Sequence, residues 1–444
     1  MSAAPDPRDW YRREFTGRAP RLAGAGIAWL AARRHDALEQ FLRRGLPTRK
    51  DEDWKYTDVL PLASQRSAPA RRAAIDPAAL DAFVFDAWRL VFVDGRFAQD
   101  LSQLDGLPDG VRVASLAQTL RETPQALEGR LGRYVDGARH GFAALNLAFA
   151  EDGAVIDIAP GIELERPIQL LFVASGAAGA DSIQHLRQVV ALGAGARAWL
   201  IESMVSLAPG AGLTTGVTEI ELAAGAALDH YRVVQIGDDA ARVDTAHVQQ
   251  DRDSRYAAHA VTLGGRLVRH ELDCALAGAG AECDFNGLYV MAGQSHIDTH
   301  TRFDHRVPHT TSRASAKGVL DDAARGVFSG RVVVHPDAQR SDAGQSVRHL
   351  LLSPRAEADS RPQLEIYADD VKCAHGAATG SLDPEQLFYL RSRGFDEPRA
   401  RQLLVYAFAA DMLARVPLAP LRERLAEQLT RRLLPDATRE ALTS

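Results

Sequence analysis

Leu192-Gly-Ala-Gly-Ala196, Leu222-Ala-Ala-Gly-Ala226 and Leu276-Ala-Gly-Ala-Gly-Ala281 punctuate the middle of this chain. The first two share a Leu-x-x-Gly-Ala core, and the third is one residue longer. Small residues at a turn let neighbouring backbones stack closely, and glycine adopts the conformations a tight corner needs. Around these turns run short apolar segments, from Val155 to Tyr367, with no long helical pattern among them. Short strands between repeated small-residue turns suit a sandwich, a barrel or a β-solenoid. About 210 residues without a helix is long for a simple sandwich. The expected core is therefore a parallel β-helix with roughly 20–25 residues per coil and about nine coils. A solenoid exposes its end coils, so helical caps belong there.

Helical signals do lie at the two ends. Asp9 to Phe15 is amphipathic, and Ile27, Leu30, Ala31, Leu38, Phe41 and Leu42 recur at helical spacing up to Gly45. Arg49 to Asp58 is dense in charge and carries Trp54 and Tyr56. It suits either an aromatic-anchored contact site or a loop pinned by two amphipathic rings, and the pinned loop is the expected one. Residues 62–77 are rich in Ala, Arg, Ser and Pro and suit a linker. At the other end, Asp383-Pro384 and Asp396-Glu-Pro398 start two helices, and Leu418 to Leu434 forms a third. Their apolar residues, among them Leu387, Phe388, Tyr389, Leu403, Leu404 and Phe408, can pack on one another or dock a partner. The expected domains are 1–150, helical or mixed; 151–372, the β-helix; and 373–444, helical.

The 444 residues are 46% hydrophobic and 25% charged, the balance of a globular protein. A net charge of −6 argues against nucleic acid as the main partner. Cys274, Cys283 and Cys373 are too few for a disulfide framework and fit a reducing compartment. No apolar run spans a bilayer and no signal peptide is recognisable, so a cytoplasmic protein is expected.

Two clusters carry candidate chemistry. In an extended Asp369 to His375, Cys373 and His375 share a face. Thiolate and imidazole are metal-capable, but two ligands do not close a tetrahedral site. The alternative is a structural cysteine beside a hydrogen-bonded histidine. His296, Asp298 and His300 also share a strand face and offer a second metal site, or a polar ladder on the solenoid. Cys274 and Cys283 stand alone and suit packing.

Longer strings add a resemblance. Arg49 to Asp58, Pro160 to Pro167, His305 to Ser312, Leu320 to Gly330, Pro362 to Ala377 and Leu387 to Gly394 together resemble the SufB/SufD family of iron–sulfur cluster assembly proteins. Lys372-Cys373-Ala374-His375-Gly376-Ala377 is similar to the D-type branch. The B-type carries a cysteine near Gln345-Ser346, where this chain has serine. The resemblance implies a right-handed parallel β-helix flanked by N- and C-terminal α-helical domains. It implies a non-catalytic subunit that pairs with SufB through the β-helix and binds the ATPase SufC through the C-terminal helices, with a homodimer open to the isolated chain. It further implies no tightly bound cofactor, a transient iron–sulfur cluster shared with SufB, and reduced flavin in the complex. His375, and after it Cys373, would be the interfacial ligands. No Gly-x-x-x-x-Gly-Lys-Ser/Thr string is present, so ATP chemistry would come from the partner. The competing expectation is a metal-dependent β-solenoid enzyme built on His296, Asp298 and His300.

Overall fold

Each Leu-x-x-Gly-Ala stretch is a corner. Gly195, Gly225 and Gly280 have φ of 69°, 69° and 75°, left-handed values that favour glycine. The alanines that follow, Ala196, Ala226 and Ala281, are fully buried, stacked where consecutive coils turn. These corners repeat through the computed structural model, which describes residues 7–63, 68–69, 72–134, 137, 139–177, 182–210 and 212–433. Residues 64–67, 70 and 71 of the expected linker lie outside the described residues, as does Leu434 of the third C-terminal helix.

Four strands precede the main run: β1 (Ala68–Pro69), β2 (Trp88–Val93), β3 (Arg96–Phe97) and β4 (Val111–Ser115). The odd strands that follow are β5 (Ala154–Ile158), β7 (Ser182–Leu192), β9 (Leu213–Leu222), β11 (Ala241–Gln250), β13 (Leu267–Leu276), β15 (His296–His305), β17 (Arg325–Val334) and β19 (Glu357–Ile366). The even strands are β6 (Ile168–Ala174), β8 (Arg197–Ser206), β10 (Ala227–Gln235), β12 (Arg255–Thr262), β14 (Glu282–Met291), β16 (Thr311–Leu320), β18 (Asp342–Leu351) and β20 (Lys372–Gly380). From β5 and β6 onward, odd strands pair in parallel with odd and even with even, making two facing sheets. This is a parallel β-solenoid of about seven turns. Ala241 sits beside Leu267 and Val155 beside Val189, so coils take 26 to 34 residues. The expected 20–25 was too short because each coil holds two strands, most of eight to eleven residues, besides its corners; β11 and β18 were also not anticipated. Each places two polar residues inward among its apolar ones: Arg242 and Asp244 on β11, Gln345 and His349 on β18.

The two ends of the solenoid differ. At the N-terminal end, β4 lies antiparallel on β5, and β2, extended by antiparallel β3, closes the other sheet. Helices α1 (Pro7–Arg18), α2 (Ala28–Arg44), α3 (Leu60–Ala63), α4 (Leu116–Glu122) and α5 (Gly141–Phe149) cover that end and one flank. Phe41 and Leu38 of α2 pack with Leu145 and Phe149 of α5 in a satellite core. At the C-terminal end, β19 and β20 are the last strands of their sheets and are half-buried to exposed along their length. The chain then forms α6 (Pro384–Ser392), α7 (Glu397–Leu413) and α8 (Ala419–Leu433), which fold back along the even-strand sheet. The division expected at residues 372 and 373 thus falls at the start of β20, and the helical part begins at Pro384.

Candidate functional site

Cys373 and His375 lie on β20, in register with Ala343 and Gln345 of β18. Alternation puts all four side chains on the inner face, at the mouth of the bore. Cys373 is half-buried against the core, and burial pushes its thiol up. His375 is exposed. The shared face of Cys373 and His375 is as the strand period requires. Ser346 lies beside Gly376 and is exposed on the opposite face. Gln345 was not singled out from the sequence, yet it is 4% exposed and neighbours His375 across the ladder. Thirty residues of sequence separate the two, and only the coil register joins them.

Of the two readings of the His296, Asp298 and His300 cluster, the structure supports the polar ladder and not the metal site. All three sit on the outer face of β15, and a guanidinium occupies their centre. Arg269 on β13 is fully buried and donates from Nη1 to Asp298 and from Nη2 to Glu271 Oε1 at 2.6 Å. Its Nη1 also lies 3.0 Å from His300 Nε2. The Trp54 ring covers Arg269, with the guanidinium carbon 3.7 Å from its centroid. Thr57 donates to Asp298 and contacts His296 Nε2 at 2.8 Å. Burial pushes the Asp298 carboxyl up, but Arg269 and His300 outweigh it and hold the group well below the usual carboxylate range. The acid already has its cation, which argues against a metal-dependent enzyme here. Among the described residues, no group of three or more His, Cys, Asp or Glu could hold a metal ion. The Arg49 to Asp58 stretch is thus the pinned loop, with Trp54 buried against Phe142 and the solenoid wall.

The same face seats His140, whose Nδ1 is 2.8 Å from Glu271 and Nε2 3.0 Å from Asp273. Burial opposes its charged form, but the two carboxylates outweigh burial and push the imidazole up to about 10. A value raised above the ordinary 6.5 means the contact stabilises fully below that pH and fades as pH rises toward 10. Stability should fall by about 2–4 kcal/mol across this window, since a proton held over one pH unit is worth about 1.4 kcal/mol. Denaturant midpoints measured from pH 6 to 10 should flatten in His140→Gln; equal slopes in both proteins would refute the contact's role.

Of the C-terminal helices, α6 buries nothing. Phe388 and Tyr389 are 72% and 56% exposed, an unusual display for large apolar rings. Leu387 is half-buried. Leu403, Leu404 and Phe408 on α7 are half-buried. Phe408 packs toward the solenoid, where Lys317 Nζ lies 4.7 Å from its ring and bonds Asp411 at 2.7 Å. Cys274 and Cys283 are buried in the bore, as packing residues should be.

Fold and site together define a parallel β-solenoid with helical ends, sealed at one end and open at the other. Two family models cover nearly the whole of it: the SufBD protein N-terminal region over residues 8–170, and the SUF system FeS cluster assembly SufBD core domain over 172–408. The chain belongs to the SufBD family of iron–sulfur cluster assembly proteins. It is 33% identical to the iron–sulfur cluster assembly protein SufD of Escherichia coli over 89% of this chain and 91% of that one. It is 32% identical to a SufBD family protein of Synechocystis over 91% and 92%. The chloroplastic protein ABCI7 of Arabidopsis thaliana is 28% identical over 88% and 83%. No helix among the described residues is long and apolar enough to cross a membrane.

Proposed function

We propose that this chain is a non-catalytic subunit of an iron–sulfur cluster assembly complex. It joins the B-type paralogue SufB end to end through β19 and β20, and it docks the ATPase SufC on α6 and the neighbouring helices. The observation that carries this reading is the asymmetry of the solenoid. One end is closed by antiparallel strands and helices, whereas the other leaves two strand edges unpaired among the described residues. Such edges recruit further strands, and a second solenoid end offers a matching surface. The isolated chain can use the same edges to pair with a second copy.

His375 stands at this seam as a ligand for the nascent cluster, which is cargo and not a resident cofactor. Cys373 is the second ligand, its thiol becoming available as the partner rearranges the mouth. Two ligands are too few for a closed site, so SufB supplies the others. The exposed rings of Phe388 and Tyr389 suit a hydrophobic groove on the ATPase. Movement of α6 on ATP binding would then be felt at the solenoid through α7, which Lys317 ties down. Reduced flavin enters only as a component of the complex. A cytoplasmic setting keeps the three free cysteines reduced.

The test is co-purification with SufB and SufC, followed by anaerobic reconstitution with ferrous iron and sulfide. Visible absorbance of the cluster should be lost in His375→Ala while the three chains still co-purify. Equal cluster yield in both samples would remove the ligand role.

A further inference from the structure

Gln345 holds a position that an apolar side chain would fill more comfortably. It is 4% exposed and faces the bore, yet neither Oε1 nor Nε2 has a hydrogen-bond partner among the described residues. A buried amide without partners is costly and calls for a reason. The preceding inner positions of the same row are apolar: Phe285 pairs with Ala314, Ala314 with Gln345, and Gln345 with His375. The opposite wall makes room for the amide. Gly330 on β17 faces it, and a Cβ there would collide with Gln345 Oε1 and approach Phe328 to 2.9 Å. Neighbouring parallel strands lie roughly 4.8 Å apart, so the amide is within reach of the His375 imidazole.

We propose that Gln345 is a positioning residue for His375. When the cluster loads, the amide oxygen accepts from the ring N–H that faces it. That bond selects one tautomer, and the other ring nitrogen presents its lone pair to iron. The inference rests on the ligand role proposed above for His375. It gives the amide, which has no partner among the described residues, one in the imidazole as fixed by iron.

The test uses the complex with SufB and SufC, reconstituted with ferrous iron and sulfide, and follows loss of cluster absorbance at fixed neutral pH as an iron chelator is titrated in. Gln345→Leu should weaken retention about tenfold, as outer-shell substitutions do, so that about tenfold less chelator releases the cluster. Gln345→Glu, which keeps an acceptor, should restore it. Thermal unfolding of the free Gln345→Leu chain should be no lower than wild type, because an orphaned amide has been removed. Should that variant fail to fold, Gly330→Ala displaces the amide instead and is expected to lower the chelator midpoint in the same way. A midpoint unchanged by Gln345→Leu, or by Gly330→Ala in its place, overturns the inference. If His375→Ala keeps the wild-type midpoint, it is the ligand role that fails, and the role of Gln345 fails with it.

Discussion

Arg269→Ala should destabilise the protein by about 3–5 kcal/mol, the cost of leaving buried charge unpaired. Arg269 is completely buried, and its loss takes from Asp298, at 1% exposure, and Glu271, at 6%, the guanidinium they share, leaving them His300 and His140. Both carboxyls are held in their charged form by this guanidinium against the pull of burial. Trp54 would also lose the cation beneath its ring. The damage should therefore be visible in two ways. The denaturant midpoint should fall, and the Arg49 to Asp58 segment should become an early site of proteolytic cleavage. A midpoint within about 1 kcal/mol of wild type would mean that the N-terminal segment is held by its apolar contacts alone, a size more usual for exposed pairs.

Ala377→Pro should leave the free chain folded and weaken the end-to-end pairing proposed above. Lys372 donates its backbone N–H to Ser341, so N–H groups of even-numbered residues on β20 point to β18. Those of odd-numbered residues, Ala377 included, face the open edge. Proline there removes a donor the incoming strand needs and puts its ring in the way, while the β18 ladder is kept. Association with SufB should weaken at least tenfold, the effect of about 1.4 kcal/mol. Size-exclusion chromatography and titration calorimetry would measure it, with thermal unfolding of the free chain as control. Undiminished association would show that the edges of β19 and β20 are not the pairing surface.

The solenoid was legible because its corners are local. A Leu-x-x-Gly-Ala string needs only five residues to place an inward leucine, a left-handed glycine and a buried alanine. The strands that escaped notice, β11 and β18, interrupt their inward apolar residues with polar ones. Asp244 on β11 pairs inside the bore with Arg232 at 2.8 Å and Arg242 at 2.6 Å. On β18, His349 bonds Tyr289 and lies 3.2 Å from Ser360. A search for apolar runs passes over such strands, since their burial is made tolerable by polar partners that face them inside the bore. The candidate site divides in the same way. Cys373 and His375 are two residues apart, and the strand period alone places them on one face. Gln345, thirty positions earlier, joins them only through the register of β18 and β20.

The amino-acid sequence by itself determined the repeating coil, the helical ends and the Cys373–His375 pair. Each depends on residues a few positions apart, where turn chemistry and side-chain period act directly. The tertiary structure decided which end is sealed and which is open. It also turned His296, Asp298 and His300 from an apparent metal site into the surroundings of Arg269. Both outcomes depend on register between coils 26 to 34 residues long. Such distances are beyond local propensity, and only the stacking of the whole solenoid brings those groups into contact.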